Sequence, residues 1–342
     1  MVTIKDIGNV VGMSHATVSR ALNDSLLVSE ATRQLVQKVA REMGYRPDNA
    51  ARTLRGSTSN LVGFVLPDIR NNFYSRIAEI VSKFASDRGF QLVLSITDDD
   101  PVREERHLVE LQHARARAVI ITPSEGLTPG SAAVLAAMRT VQMVRRHSLL
   151  HAELVVADDR SGVGQATRHL IGKGHRRIAY IGGGHHTLST GIERLEGYRA
   201  AMDEAGLSAE ARAELGPPQP SFGYEASKRL LADARRPQAI VLGSSQLTIG
   251  FLDAVAEFGL AVPSELSFVG YDDPDWFAQW GQGITTVELP VTQIARTVAA
   301  IACGDEIDDL PSRIDSGEDG SRNILYPCKV IERSSVSKPQ RA

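Results

Sequence analysis

The sequence contains few cysteines, the residues that form disulfides in secreted proteins and bind structural metals. Its 342 residues include two cysteines, Cys303 and Cys328. Two are too few for a disulfide framework or a set of zinc ligands, so we expect reduced thiols. No apolar run is long enough to cross a bilayer, and the N-terminus lacks a charged-then-apolar leader. These absences predict a cytoplasmic protein without a membrane segment.

Groups that carry catalytic or metal chemistry are also scarce. The paired histidines of GGGHH (Gly182 to His186) have no third ligand at a suitable spacing, so we expect no metal. No nucleophile with a matched base and no complete cofactor loop is evident. The sequence therefore predicts neither a cofactor nor an enzyme.

The first helix pattern of the chain begins at its third residue. Thr3 followed by Asp6 is typical of a helix N-cap, and Gly12 of a helix end. Three apolar side chains, those of Ile4, Ile7 and Val11, fall on one face at helical spacing. We expect a short amphipathic helix here.

Two further helices are predicted before residue 45. Ser14 precedes a helix from about His15 to Leu22, and a third helix opens at Ser29 and closes at Gly44. Their inward residues are expected to be Val18, Leu22, Leu35, Val36, Val39 and Met43. This order predicts a helix-turn-helix with a supporting helix, although small helical bundles without a DNA role show the same pattern.

Charge supports a DNA role for this end of the chain. Residues 1–60 hold eight lysine and arginine against five aspartate and glutamate, whereas the remainder holds 30 against 36. Phosphates attract the basic end. The outward side of the second helix, His15, Ala16, Thr17, Ser19 and Arg20, carries small and polar groups that can approach base edges.

Past the linker NAARTLRGSTSN (Asn49 to Asn60), short apolar runs alternate with helical stretches. The runs span residues 61–67, 90–96, 118–123, 177–183, 238–243 and 266–271. Strands spaced by helices indicate parallel sheets with helical crossovers. Their grouping predicts an α/β body of two Rossmann-like halves, with a ligand cleft at the carboxyl ends of the strands.

Several ordered motifs resemble the lactose-repressor (LacI/GalR) family. The head matches in VTIKDIGNVVGMSHATVSRALND (Val2 to Asp24) and GYRPDNAARTLR (Gly44 to Arg55). The body matches in NNFY (Asn71 to Tyr74), TDDDP (Thr97 to Pro101), GHRRIAYIGG (Gly174 to Gly183), ERLEGYRAAMDEAGL (Glu193 to Leu207) and VPSELSFVGYDD (Val262 to Asp273). The resemblance implies a periplasmic-binding-protein-like body.

The resemblance also implies domain boundaries. It places the helix-turn-helix domain at 1–46, a hinge helix at 47–59 and an effector-binding and dimerisation core at 60–342. Within the core, the N-subdomain takes about 60–157 and 290–322, and the C-subdomain about 158–289 and 323–336. The chain would cross between halves near Ala157, Leu289 and Asn323.

In the DNA-binding part, the resemblance makes the second helix the recognition helix. The implied contacts are Thr3, Ser14, His15, Ala16, Thr17, Ser19, Arg20, Asn23, Asn49, Ala51, Leu54 and Arg55. Arg20 is expected to grip a guanine, with a phosphate anchor as the alternative. His15 is a specificity residue or a solvated surface histidine.

Asn49 to Arg55 is too short to hold a helix alone in water. By resemblance, two such segments become helical together in the minor groove, where Leu54 wedges into the central base step. An ordinary leucine packed on the core is the alternative.

Effector contacts are expected at the strand ends. The candidates are Asn71, Phe73, Asp99, Arg145, Arg194, Ser244, Asp272 and Trp276. Arg194 and Asp272 match the family's dependable polar contacts, whereas Phe73 and Trp276 could equally be packing residues.

Two departures bear on the ligand. Ser244-Ser245 stands where the family usually has Asn-Asp, and VQMVRRHS (Val141 to Ser148) offers Arg145 where the family commonly has an Asp. If Arg145 points into the cleft, a fixed cation favours a sugar acid or sugar phosphate. A solvated loop position for Arg145 is the alternative.

The function predicted is a ligand-responsive transcriptional regulator, expected to be a repressor. It would bind a palindromic double-stranded DNA operator as a homodimer, with a sugar, sugar acid or sugar phosphate in the cleft shifting the population of DNA-binding states. The tail SSVSKPQRA (Ser334 to Ala342) has no leucine heptads, so we expect no tetramer by that route. A sugar-binding protein without a DNA role is the rival interpretation.

Overall fold

The computed structural model describes residues 2–22, 27–45, 58–184, 189–307, 310–311, 314–316 and 320–339. The chain divides into two compact units, Met1–Ser59 and Asn60–Ala342. Most of the predicted hinge segment lies outside the described residues.

The smaller unit consists of α1 (Ile4–Val11), α2 (His15–Leu22) and α3 (Glu30–Glu42), as the caps predict. Its core is formed by Ile7, Val18, Ala21, Val36 and Ala40. Leu35 was expected inward but is 46% exposed. It lies about 100° around the helix from Val36, at the margin of the buried face.

A tight turn joins α1 to α2. Gly12 ends α1 in the left-handed region at φ 67°, where glycine costs least. Gly8 is fully packed, because a Cβ there would lie 2.8 Å from the Met13 carbonyl oxygen. The Met13 N–H donates to the Gly8 carbonyl at 3.0 Å. This close approach lets the turn fold back against α1.

The larger unit begins with alternating strands and helices. In chain order these are β1 (Leu61–Leu66), α4 (Asn72–Ser86), β2 (Gln91–Ile96), α5 (Pro101–His113), β3 (Ala118–Ile121), α6 (Pro129–Ala136), β4 (Arg139–Met143) and β5 (Glu153–Ala157). The pairs among these strands are parallel.

A second series follows. It comprises α7 (Asp159–Gly172), β6 (Ile178–Gly183), α8 (Ser189–Glu204), a 3₁₀ turn (Ser208–Glu210), β7 (Arg212–Gly216), α9 (Pro220–Leu231), β8 (Ala239–Leu242), α10 (Ser245–Glu257), β9 (Ser267–Tyr271), α11 (Asp275–Gln279) and β10 (Thr286–Glu288). The chain then forms α12 (Val291–Cys303), β11 (Ile314–Ser316), β12 (Arg322–Tyr326) and β13 (Lys329–Ile331).

The described strands form two sheets. One has the order β11-β12-β5-β4-β3-β1-β2 and the other β13-β10-β9-β8-β6-β7. In each sheet a strand at one edge, β11 or β13, is antiparallel to its neighbour. Each of the six apolar runs contains a strand, so the predicted α/β architecture with two Rossmann-like halves is confirmed.

The chain passes between the sheets at three places. The first lies between β5 and α7, and the second lies between β10 and α12. The third was expected near Asn323, but β12 extends through Tyr326 and pairs in parallel with β5. The crossing therefore falls after Tyr326, because the apolar side chains of the strand continue into the first sheet.

Candidate functional site

The exposed side of α2 is the candidate DNA-reading surface of the smaller unit. His15, Ala16 and Arg20 are exposed, and Thr17 and Ser19 are half-buried. The opposite side places Val18 and Ala21 in the core. The helix therefore presents its polar residues on a supported outer face.

Two hydroxyls among the DNA candidates serve the start of α2. The Thr17 N–H donates to Ser14 Oγ at 3.2 Å. The two hydroxyl oxygens lie 2.9 Å apart. Ser14 thus satisfies an amide that the helix leaves unpaired.

Thr3 forms a capping box at the start of α1. Its N–H donates to the Asp6 carboxylate at 2.8 Å, and the Asp6 N–H donates to Thr3 Oγ1 at 3.3 Å. The Thr3 hydroxyl also donates to the Asp6 carboxylate at 2.7 Å. This bond and the one from the Thr3 N–H lower the pKa of the Asp6 carboxyl. The remaining DNA candidates lie outside the described residues: Asn23, Asn49, Ala51, Leu54 and Arg55.

In the larger unit, a cavity of about 360 Å³ lies at the carboxyl ends of strands from both sheets. Seven of the eight effector candidates line it: Asn71, Phe73, Asp99, Arg145, Arg194, Ser244 and Asp272. Trp276 does not line it. It packs edge-on against Phe277 at 4.5 Å between ring centroids, so the packing alternative applies to this residue.

Two of the lining residues also begin helices. The Phe73 N–H donates to Asn71 Oδ1 at 3.1 Å at the start of α4. The Gln246 N–H donates to Ser244 Oγ at 3.2 Å at the start of α10. Ser244 therefore keeps a capping role at the position where the family's amide is missing.

Arg145 points into the cavity and is buried, with 8% of its side chain exposed. It forms an ion pair with Asp99 in which Arg145 Nη2 donates to Asp99 Oδ2 at 3.1 Å, and a second, shorter bond joins Nη1 to Oδ1. Of the two sequence-based alternatives for Arg145, the cleft position is the one observed. Its charge, however, is neutralised within the protein.

Arg194 belongs to a second internal ion pair. Its Nη2 lies 3.1 Å from Asp159 Oδ2, and its Nη1 donates to the Gly243 carbonyl at 2.8 Å. The guanidinium carbon lies 4.1 Å from the centroid of the Tyr271 ring, and the Tyr271 hydroxyl donates to Asp159. Burial is the largest influence on Arg194 and opposes its charge, but Asp159 together with Tyr271 and Tyr180 outweighs burial and raises the arginine pKa.

Asp272 differs from these carboxylates because its second oxygen is unsatisfied. Its Oδ1 accepts from the Asp273 N–H at 2.9 Å, whereas the buried Oδ2 has no hydrogen-bond partner among the described residues. The residue is 3% exposed, and burial raises the pKa of its carboxyl to about 6. A ligand hydroxyl could donate to this oxygen.

Acids outnumber cations around the cavity. The described lining carries Asp68, Asp98, Asp99, Asp159 and Asp272 against Arg70, Arg145 and Arg194. Arg70 is also paired, with Asp68 at 3.0 Å. The three guanidinium groups are thus paired with carboxylates, whereas Asp272 Oδ2 has no partner in the described part of the chain. This arrangement suits a ligand with hydroxyl donors better than an anion.

Sequence reasoning missed Asp159 and Tyr271. Asp159 follows the run LVVA in β5, and two consecutive carboxylates after an apolar run were the available signal. Tyr271 ends β9 one residue before Asp272. Within the described ranges no group of three His, Cys, Asp or Glu side chains could hold a metal ion. No described helix combines the length and apolarity needed to cross a membrane.

Comparison with known proteins agrees with both units. Residues 3–48 match the bacterial regulatory proteins of the lacI family, and residues 167–336 match the periplasmic binding protein-like domain. The HTH-type transcriptional regulator DegA of Bacillus subtilis is 31% identical over 98% of this chain and 98% of its own length. The chain belongs to the lacI family of bacterial regulatory proteins.

This lacI-family chain is therefore a DNA-binding transcriptional regulator, and the predicted family is confirmed. A crystal structure of the lac repressor dimer bound to operator and the anti-inducer ONPF shares the fold, with a TM-score of 0.79 and 21% identity over 98% of this chain and 99% of that one. A complex of the transcriptional regulator CelR with cellobiose gives a TM-score of 0.66 and 26% identity, over 98% and 100% of the two chains.

Proposed function

We propose that this regulator binds a two-fold symmetric operator as a homodimer through the exposed side of α2, and that a neutral sugar in the cavity controls its operator affinity. One observation supports a neutral ligand: the buried Oδ2 of Asp272 lacks a hydrogen-bond partner within the described ranges, whereas Arg145 and Arg194 are already paired with carboxylates. The lac repressor structure contains a dimer on operator, and the CelR structure contains a sugar. These two structures support a dimer on operator DNA and a sugar in the cavity for this regulator.

Arg20 is the proposed base contact of α2. A bidentate arginine–guanine contact contributes about 1–3 kcal/mol of discrimination, so Arg20→Ala should weaken operator binding about tenfold or more. The operator is obtained by selecting bound sequences from random DNA, and affinity is measured by mobility shift. Lys38→Ala is the control, since it removes a cation from α3 that is 69% exposed.

The same assay distinguishes a base contact of Arg20 from a phosphate contact. Loss of a base contact relaxes the selected sequence at one position of each half-site, whereas loss of a phosphate contact weakens all sequences alike and reduces the salt dependence. Equal affinity of R20A, K38A and wild type would contradict the proposed recognition surface.

The effector is tested with a panel of neutral sugars and the corresponding sugar acids, using thermal shift and calorimetry. A ligand that binds should change operator affinity, and operator should change ligand affinity by the same factor. A protein that binds sugars but no selected DNA would instead be the sugar-binding protein without a DNA role. Tight binding of sugar acids with no binding of neutral sugars would contradict the proposed ligand class.

A further inference from the structure

Arg145 forms its ion pair with Asp99, and both residues follow strands of the first sheet. Both guanidinium Nη atoms engage the carboxylate, and Nη1 also donates to the Pro123 carbonyl at 3.3 Å. The arginine side chain is 8% exposed, while Asp99 remains 41% exposed toward the cavity. A guanidinium fork is well shaped to hold a carboxylate or phosphate, and here a protein carboxylate occupies it.

The backbone holds both partners in place. Asp99 has φ 58°, and Val144, the residue before Arg145, has φ 67°. Aspartate adopts this left-handed region readily, whereas for a β-branched valine it costs free energy and persists only where the surroundings enforce it.

The third acceptor of Arg145 is fixed as well. Glu104 is fully buried and accepts from the Ser124 N–H at 2.8 Å and from Ser124 Oγ at 2.9 Å. This anchors the turn that carries the Pro123 carbonyl. The pairing of Arg145 with Asp99 is therefore built into three loops of the cavity wall.

We infer that Asp99 is a specificity-determining residue that excludes anionic effectors by occupying the fork of Arg145. The inference rests on the proposed effector role of the cavity. A ligand carboxylate would have to displace Asp99 and then lie beside the released carboxylate, with Asp98 in the same turn. A neutral sugar meets no such competition, because it hydrogen-bonds without displacing the pair.

Removing the carboxylate of Asp99 should shift the ligand preference of the cavity toward sugar acids. Asp99→Asn keeps a residue type that tolerates left-handed φ and removes the charge. We expect D99N to bind D-glucuronate or D-galacturonate about tenfold or more tightly than wild type, the size expected of one charge-assisted hydrogen bond. Calorimetry with each uronate and its neutral parent sugar measures the change.

Asp98→Asn is the matched control. It removes one negative charge from the adjacent residue, which is also left-handed at φ 54° and is paired with Arg103. A general electrostatic effect would raise uronate affinity equally in D98N and D99N and would overturn the inference. In the double variant D99N/R145Q the gain should disappear, because it depends on the freed guanidinium.

The inference and the proposed function fail separately. If wild type binds no neutral sugar but D99N gains uronate binding that requires Arg145, the proposed ligand class is wrong and the role of Asp99 stands. If folded D99N gains no uronate affinity over D98N, the role of Asp99 is wrong whatever wild type binds. Asp99→Gly, which also accommodates positive φ, provides the same comparison should the asparagine variant not fold.

Discussion

Asp272→Asn should change the pH dependence of stability in a defined direction. The Asp272 carboxyl is 3% exposed, and burial raises its pKa to about 6. Its ordinary value in an unfolded chain is about 3.9. Because the folded pKa is the higher one, protonation of Asp272 stabilises the fold at low pH, and this contribution is lost as pH rises through about 6.

The expected change in unfolding free energy follows from these two pKa values. Between pH 8 and pH 5 the folded carboxyl becomes mostly protonated, whereas the unfolded one stays mostly ionised. The wild type should therefore gain about 1.4 kcal/mol of unfolding free energy from Asp272 over this interval. Asparagine cannot titrate, so D272N lacks this gain. For a unit of this size the difference corresponds to about 2 °C in melting temperature.

The measurement compares wild type and D272N by thermal denaturation at pH 5 and pH 8. Other titrating groups cancel in the difference, including Glu193, whose pKa is raised to about 7 by burial. Asparagine also suits the left-handed φ of 73° at this position. D98N controls for the loss of one negative charge from the cavity. A difference between wild type and D272N that stays constant from pH 5 to pH 8 would refute the assigned burial of the charge.

Two substitutions test the head. Leu54→Ala should weaken operator binding strongly while melting temperature and effector affinity stay nearly unchanged, and unchanged operator affinity would refute the wedge role. Thr3→Ala removes the capping box and should lower the stability of the smaller unit by about 1 kcal/mol, as followed by helix loss in circular dichroism. Thr3→Ser, which keeps the hydroxyl, should restore most of it, and equal stability of all three proteins would contradict the capping role.

The fold was predictable where local chemistry decides the structure. Ser14 and Ser29 mark helix starts, and continuous apolar runs mark strands buried on both faces. Among the strands that lie outside the six predicted runs, β7, with the sequence RAELG, is half-buried along its whole length at the edge of its sheet. An edge strand needs no continuous apolar run, so the pattern gave no signal.

The cavity was predictable as a location but not as a charge distribution. Parallel topology puts the ends of strands at one edge of each sheet, so Asp99 and Arg145 reach the cavity from the first sheet and Asp272 from the second. The pairing of Arg145 with Asp99 depends on the strand order β4-β3-β1-β2, which places their strands about 14 Å apart. Only the two left-handed loops and the length of the arginine side chain close that distance. No local pattern contains this information.

The placement of the ion pairs bears on how a ligand could act. Arg145 and Asp99 both follow strands of the first sheet, whereas Arg194 and Asp159 both belong to helices of the second half. Neither pair therefore spans the cleft, and a change in the angle between the halves breaks neither of them.

A described contact that does span the cleft is modest. The Arg146 N–H donates to Ser189 Oγ at 3.0 Å, and an exposed neutral hydrogen bond contributes only about 1 kcal/mol. A ligand shifts a conformational equilibrium only by its difference in affinity between the states. A sugar that donates to Asp272 in one half while contacting Phe73 or Asn71 in the other gains both sets of contacts only in a closed cleft. Under the proposed function we therefore expect the ligand, rather than a protein ion pair, to decide the angle between the halves.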